Sequence, residues 1–260
     1  MSEYRFSPTL LDRYENYINS SRIYQEYWGF SEEPSKTEEE FEKEQFQGLI
    51  DTINRVPFES EASDKGTAFN EVIDCIIEDR KSTTMEISVI ADHTSMTSVE
   101  PNSGEVNFSQ KKFIRVFYKH HTFLFPLNIC VEVAKYLSGA LTQQWVNGVL
   151  ETTKGKVHFV GCIDQLLPFK VCDTKTLSKY SAFKFRHNWQ HVVYPFCLNQ
   201  NGIYINDFEY VITDFKSTWT EHYVYNESKD VPRLNEHCEG LIDFIELNRH
   251  LITDTRIFNQ

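Results

Sequence analysis

The sequence predicts an α+β fold in which a central mixed β-sheet is flanked by helices. Two observations indicate this fold class. Apolar side chains recur at helical spacing near both ends of the chain, whereas the middle holds short runs of β-branched and aromatic residues that end at turns. The chain has 260 residues, of which 40% are hydrophobic, so it has enough apolar material for one sizeable core.

Six helices are predicted from the spacing of apolar residues. The first has a clear start, because Ser7 is a suitable N-cap and Pro8 suits the first helical position. The acidic residues 31–44 predict a loop that leads into a solvated helix, with an acidic interaction surface as the alternative. The predicted helices cover residues 6–30, 46–53, 65–77, 127–142, 182–198 and 241–251.

Eight strands are predicted from runs rich in β-branched and aromatic residues. The turn at residues 152–156 predicts an antiparallel hairpin, and Leu166-Leu-Pro marks the next turn. The predicted strands cover residues 86–90, 112–118, 122–125, 144–151, 157–164, 169–174, 202–215 and 218–225.

The charge of the chain is unevenly distributed. The formal net charge is −12, yet residues 101–200 carry 12 Lys and Arg against 5 Asp and Glu. A basic middle in an acidic protein is consistent with a groove that follows phosphates. Ordinary solvated lysines explain the same charges equally well, so charge alone leaves both interpretations open.

Cysteine usage and the N-terminus bear on the compartment. The six cysteines include no C-x-x-C pair, which argues against a zinc ribbon or an iron–sulfur cluster built on paired cysteines. No apolar run is long enough to span a bilayer, and the N-terminus lacks a basic stretch followed by an apolar one. We therefore expect a soluble, cytoplasmic protein with reduced thiols and no membrane partner.

Two acids and one lysine on adjacent predicted strands form the main candidate site. Asp173 and Lys175 project from the same side of a strand, because side chains alternate between faces, and Thr174 points away. The turn after Asp164 would bring that carboxylate beside them. Two converging carboxylates favour a cation between them, and Mg²⁺ prefers hard oxygen ligands. The lysine would then help to activate water and offset charge on a phosphate.

The pattern Asp/Glu-x-Lys has little specificity alone, since it occurs four times in the chain. Asp214-Phe-Lys216 is the serious competitor, because an aspartate also lies upstream of it at Asp207. For Asp164, Asp173 and Lys175 the structural alternative is an ordinary salt bridge in a hairpin.

The order of several motifs resembles the PD-(D/E)XK nuclease superfamily, in particular the branch of bacterial recombination helicase–nucleases and related phage exonucleases. Residues 6–14 resemble the N-terminal helix of that branch, and residues 65–71 resemble its helix with a G-x-x-x-H motif. The remaining motifs follow in the same order as in the branch: Gly161-x-x-Asp164, Asp173-x-Lys175 and Gln190-x-x-x-Tyr194. The resemblance covers residues 6–14 and about 65–195.

The resemblance implies roles for these residues. Asp164 and Asp173 would bind Mg²⁺ or Mn²⁺, with the backbone carbonyl of Thr174 as a further ligand, and Lys175 would be the catalytic lysine. Gln190 would position DNA or the lysine. The residues implied or expected to contact the DNA substrate are Tyr194, Lys179, Lys184 and Arg186; for Lys184 and Arg186, a solvated helix face is the alternative.

One position departs from the branch. The histidine ligand expected four residues after Gly66 is Asn70 here, and the adjacent Glu71 is the expected substitute ligand. Residues 70 and 71 lie about 100° apart on a helix, so we expect only one of them to face the metal. Asp74 shares the face of Asn70 and is a weaker substitute.

Two of the four tryptophans, Trp145 and Trp189, are candidates for base stacking. Packing in the core is the alternative for each.

These observations predict one structural domain. Residues 1–64 would form a helical segment packed on a restriction-endonuclease-like core at residues 65–225, and residues 226–260 would form a helical extension. The expected function is metal-dependent hydrolysis of DNA, as an exonuclease of recombination, repair or phage type. The alternative is a catalytically weakened or inactive nuclease fold that binds DNA or a protein partner. A homo-oligomer or a phage or recombination partner protein is compatible with the motifs.

Overall fold

A computed structural model describes residues 2–92, 96–99, 106–108 and 111–258. It confirms the predicted α+β fold with a central mixed sheet and helices on both faces. The helices are α1 (Pro8–Ile18), α2 (Ser20–Trp28), α3 (Glu38–Ile53), α4 (Glu61–Ile77), α5 (Leu127–Tyr136), α6 (Gln190–Gln200) and α7 (Glu227–Leu247), followed by 3₁₀ turns at Arg249–Leu251 and Thr255–Phe258.

Eleven strands are present among the described residues. They are β1 (Glu3–Phe6), β2 (Glu86–Asp92), β3 (Met96–Val99), β4 (Val106–Phe108), β5 (Lys111–Tyr118), β6 (His121–Pro126), β7 (Leu141–Glu151), β8 (Lys156–Leu166), β9 (Lys170–Thr176), β10 (Asp207–Thr213) and β11 (Thr218–Val224).

The central sheet has six strands, and β8 organises it. β7 pairs antiparallel with β8 along its whole length and so occupies one edge of it. The other edge is shared: β1 pairs in parallel with residues 156–159, and β9 pairs antiparallel with residues 165 and 166. Residues 160–164 of β8 therefore lie between two strands and pair with neither; we call this segment the edge gap. β10 and β11 extend the sheet beyond β9.

Each face of the sheet packs against its own set of helices. On one face, β8 and β10 contribute Phe159, Phe208 and Ile212 to a core that also includes residues of α1, α3, α6 and α7. On the other face, Cys172 and Val211 pack with α4, α5 and the small sheet of β2, β5 and β6. Helices from both ends of the chain thus share one buried core with the sheet.

Several predicted boundaries are corrected. The first helix is two helices, α1 and α2, separated at Asn19. The predicted helix at residues 182–198 is wrong in its first half, since α6 begins only at Gln190. The physical reason is a tertiary contact, because the N–H groups of Lys184 and Phe185 donate to the carboxylate of Glu221 and so leave no helical ladder. The short β1 was not predicted.

The length and apolar character of the helices bear on whether the chain could span a membrane. Among the described residues, no helix is both long and apolar enough to cross a membrane.

Candidate active site

The edge gap of β8 brings Asp164 to Asp173. Gln165 pairs with Cys172 in the antiparallel β8–β9 ladder, so Asp164 and Asp173 lie opposite each other at the next position. There the ladder stops, and the backbone N–H of Thr174 donates to Oδ2 of Asp164 at 3.3 Å. The side chain of Asp164 thus replaces a strand partner at the end of the ladder.

Asp173 and Lys175 meet on one side of β9, as the alternation predicts. Nζ of Lys175 lies 2.5 Å from Oδ2 of Asp173, and Nε2 of Gln190 donates to Oδ1 of Asp173 at 2.6 Å. The Asp173 side chain is 2% exposed, whereas that of Lys175 is 27% exposed. The structure therefore brings Asp164, Asp173, Lys175 and Gln190 together, and it leaves the lysine in reach of solvent.

Electrostatics at this site follow from burial and from the paired acids. Burial, and then the charge of Asp173, raise the pKa of Asp164 well above its usual value, against the opposing effects of Lys175 and of the hydrogen bonds from Asn70 and Thr174. Burial by itself lowers the pKa of Lys175, but the carboxylates of Asp173, Asp164 and Asp12 outweigh it and raise that pKa. The lysine is held in its ammonium form.

Asn70, at the position where the resemblance led us to expect histidine, faces the site. Its Nδ2 donates to Oδ2 of Asp164 at 2.9 Å. Its Oδ1 is buried and has no hydrogen-bond partner among the described residues. A buried amide oxygen without a hydrogen-bond partner, beside a carboxylate, is a hard oxygen ligand of the kind that Mg²⁺ and Mn²⁺ prefer.

Glu71 is placed away from the aspartates, contrary to the prediction that it would be the substitute ligand. Its carboxylate accepts two hydrogen bonds from Arg80, at 2.7 and 3.1 Å, and the guanidinium lowers the pKa of Glu71. Because residues 70 and 71 differ by about 100° around α4, only Asn70 points to Asp164.

A buried polar network supports the strand ends. The Thr174 hydroxyl donates to Oε1 of Gln165 at 3.0 Å, so this threonine meets the site through its backbone N–H and the network through its side chain. Nε2 of Gln165 donates to Asp74, which also accepts from Gln143. Both oxygens of Asp74 are thereby engaged, which makes this residue a support for β7 and β8 and not a substitute ligand.

Tyr194 lies inside the core and not on a substrate-facing surface. It is 4% exposed, and its hydroxyl donates to the carbonyl oxygen of Cys162 in the edge gap at 2.8 Å. Its ring packs against Gly161, where an added Cβ would lie 2.5 Å from Cε1 of the ring. The glycine of the G-x-x-D motif therefore makes room for Tyr194, and the predicted contact of this tyrosine with substrate does not agree with its burial.

The basic residues predicted to contact DNA lie in the loop before α6. Lys179, Lys184 and Arg186 are exposed in this loop, and none is on the helix of Gln190. Arg186 Nε donates to Nε2 of His187 at 2.8 Å. Their contact with phosphates stays a prediction, now for a loop rather than a helix face.

The competing Asp214-Phe-Lys216 motif lies in a turn. The Asp214 side chain accepts the N–H groups of Lys216 and Ser217 in an exposed turn, as a turn aspartate does. No second acid of the site approaches it in the contacts of the described residues.

Asp12 on α1 is a site residue that sequence reasoning missed. Its Oδ1 accepts the backbone N–H of Trp189 at 2.6 Å, and it interacts electrostatically with Lys175 and Asp173. Burial raises the pKa of Asp12 to about 7. Asp12 thus anchors the start of α6, where Gln190 reaches Asp173. An available signal was an acid within the apolar segment at residues 6–14.

The candidate metal ligands are fewer than a metal site usually has. Within the described ranges, no three His, Cys, Asp or Glu side chains are grouped so that they could hold a metal ion. Any cation here would depend on two aspartates together with the Asn70 amide and backbone oxygens.

Comparisons with known proteins add little to this geometry. No family model and no curated protein matches the sequence. A solved structure titled "Crystal structure of SSO0001" aligns with 42% of this chain and 55% of that chain, at 12% identity and a TM-score of 0.32. The alignment spans about half the length of that protein, and a similarity this low carries no argument about fold or function.

The packing of Tyr194 predicts a cost for a side chain at residue 161. We expect Gly161→Ala to lower the free energy of unfolding by about 1–3 kcal/mol, because the added Cβ meets a ring held in the core. Gly48→Ala is the matched control: nothing lies within 4 Å of its Cβ, and alanine favours the interior of α3. Urea unfolding at pH 7 measures both variants. A Gly161→Ala variant as stable as the wild type would show that a glycine is not required at residue 161.

The half-buried Asp12 predicts a pH-dependent stability. Its folded-state pKa of about 7 lies above the unfolded value near 4. Between about pH 4 and 7 the folded protein therefore retains a proton that the unfolded chain has lost. The free energy of unfolding falls as the pH rises over this range, and the loss is complete once the pH has passed about 7. Asp12→Asn cannot ionise and keeps an acceptor for Trp189, so we expect it to exceed the wild type by roughly 1–3 kcal/mol at pH 8 and to match it near pH 4.

Urea unfolding of both proteins in a chelator between pH 4 and 8 measures this effect. Asp214→Asn is the control, because backbone N–H groups lower the pKa of Asp214 and its variant gains nothing at pH 8. A difference between Asp12→Asn and wild type that does not vary with pH would contradict the account.

Proposed function

We propose that this protein is a divalent-metal-dependent nuclease that hydrolyses phosphodiester bonds in DNA. The observation that supports it is the meeting of side chains from four elements at the edge gap. These are Asn70 of α4, Asp164 of β8, Asp173 and Lys175 of β9, and Gln190 of α6. The order of the motifs in the sequence supports the same reaction.

The two aspartates and the Asn70 amide oxygen are the residues that would hold the cation. A shared Mg²⁺ or Mn²⁺ would relieve the repulsion that contributes to the raised pKa of Asp164. When bound, the cation would polarise a phosphate oxygen and neutralise part of its charge. Asn70 and the Thr174 N–H orient Asp164, while Gln190 orients Asp173.

Lys175 supplies the positive charge of the site. As an ammonium, its side chain would act as a cation and a hydrogen-bond donor to the reacting phosphate. Its partial exposure lets a phosphate approach it. The proton released by the attacking water leaves to solvent or to a carboxylate of the site.

The second candidate function is a nuclease fold with weak or no catalysis that binds DNA or a protein partner. Two observations favour it. The amide oxygen of Asn70 is neutral and binds Mg²⁺ more weakly than a carboxylate would, and the Lys175 ammonium already contacts Asp173 at 2.5 Å. For the first candidate function, we propose an exonuclease of recombination, repair or phage DNA processing that acts in the cytoplasm, alone or with a partner protein.

Removing the lysine charge tests the proposed chemistry. We expect Lys175→Ala to reduce cleavage of DNA at least about 100-fold, because the developing phosphate charge loses its stabilising ammonium. Lys216→Ala removes the lysine of the competing motif in an exposed turn and should retain full activity. End-labelled duplex DNA, single-stranded DNA and RNA are assayed side by side with Mg²⁺, Mn²⁺ or a chelator.

Loss of cleavage in the chelator is expected for the wild type. Wild-type protein that cleaves none of these polymers with either metal would favour the non-catalytic alternative. Cleavage that survives Lys175→Ala but not Lys216→Ala would move the chemistry to Asp214.

The ligand assignment at α4 is tested by metal affinity. We expect Asn70→Ala to weaken Mn²⁺ binding about tenfold or more, because the amide oxygen and the hydrogen bond to Asp164 are both lost. Glu71→Gln is the matched neighbour and should leave the affinity unchanged, since Glu71 binds Arg80. Calorimetric titration with Mn²⁺ measures both variants, and the reverse result would make Glu71 the ligand.

A further inference from the structure

The outer face of β7 carries an exposed tryptophan. Along this strand the buried residues alternate with exposed ones, and Trp145 is 75% exposed in the middle of it. Trp189, the other candidate for stacking, is instead 5% exposed and stacks on His237 at 4.3 Å between ring centroids. The structure thus separates two tryptophans that the sequence leaves equivalent, since Trp189 packs in the core and Trp145 does not.

The position of Trp145 relates it to the candidate active site. Trp145 pairs with Cys162 in the β7–β8 ladder, two residues from Asp164 along β8. At a rise of about 3.3 Å per residue, the two positions are about 7 Å apart along the strand. Sγ of Cys162 lies 3.5 Å from Oε1 of Gln143, which belongs to the network beneath the site. Trp145 therefore lies beside the edge gap and not at a remote surface.

A cleft of about 340 Å³ beside Trp145 carries positive charge. Arg5, Arg55, Ser7 and Val160 contribute to its lining along with the indole. Arg5 is exposed on β1, and among the contacts of the described residues it has no ion-pair partner. Arg55 lies 3.6 Å from Asp254, a carboxylate that Arg256 also binds, so two arginines share one acid.

We propose that this face, which we call the Trp145 face, binds a single-stranded stretch of the nucleic acid beside the scissile phosphate. This inference rests on the proposed function and names the form of its substrate. An unpaired base stacks on the Trp145 indole, which only an unstacked strand can offer, and Arg5 contacts a neighbouring phosphate. Arg5 has no ion-pair partner among the described residues, and Arg55 shares Asp254 with Arg256, so the charge of the cleft is complementary to a polyanion.

Binding of a fluorescein-labelled oligothymidylate in a chelator tests the proposal without cleavage. We expect Trp145→Ala to weaken binding about tenfold or more, and Trp145→Phe to restore it to within a few-fold, because a smaller ring still stacks. Arg5→Ala should lower the dependence of binding on salt by about 0.7 in the slope of log K against log salt. Phe169→Ala removes an aromatic ring that is 84% exposed elsewhere and should change nothing.

The outcomes separate this inference from the proposed function. Unchanged binding by Trp145→Ala, or no binding of the oligonucleotide by wild type, overturns the inference even if wild type cleaves DNA. Sedimentation that shows a wild-type dimer dissociated by Trp145→Ala, with oligonucleotide binding unaffected, also overturns it and assigns the Trp145 face to a second copy. Weakened binding by Trp145→Ala supports the inference even if wild type cleaves nothing. Hydrolysis of bis(p-nitrophenyl) phosphate by Trp145→Ala at the wild-type rate further supports it, because the small ester needs no stacking.

Discussion

The repulsion between two carboxylates in a half-buried space is the constraint on which the rest of this site depends. Asp164 and Asp173 converge where little water can screen them, and the pKa of Asp164 rises as a result. Each group around them reduces that cost. Lys175 contributes a charge of opposite sign, and Asn70, Gln190 and the Thr174 N–H donate hydrogen bonds to the acids. Such an arrangement is costly as mere packing, which is why we interpret it as a site for a cation and a phosphate.

The topology of the sheet creates this space by leaving one strand edge unpaired. β1 and β9 share an edge of β8 and leave residues 160–164 between them. Tyr194 fills part of that gap and holds the Cys162 carbonyl, which requires a glycine at residue 161. Asp12 fixes the start of α6. On the opposite edge of β8, the outer face of β7 exposes Trp145. The same unpaired edge therefore explains where the charged groups meet.

Local rules predicted the strand-borne part of the site, and tertiary contacts determined the rest. Alternation along β9 was sufficient to put Asp173 and Lys175 on one side, and the turn after β8 was sufficient to bring Asp164 near. No local rule tells which of Asn70 and Glu71 faces the acids, because the answer depends on Arg80, nine residues after Glu71. The late start of α6 has the same origin, since Glu221 is 36 residues from Phe185 and its carboxylate competes for helical N–H groups. Asp12 became a site residue only through its contact with Trp189, which is 177 residues away.

A crystal structure of the protein soaked with Mn²⁺ would test the central claim most directly, because anomalous scattering locates the ion without assumptions about activity. The account predicts one strong anomalous peak that touches an oxygen of Asp164, an oxygen of Asp173 and Oδ1 of Asn70, with the Lys175 ammonium moved from its 2.5 Å contact with Asp173. No peak at saturating Mn²⁺, with Lys175 still bound to Asp173, would show that the two acids and the lysine are a buried ion-pair cluster. The proposed metal-dependent chemistry would then be contradicted.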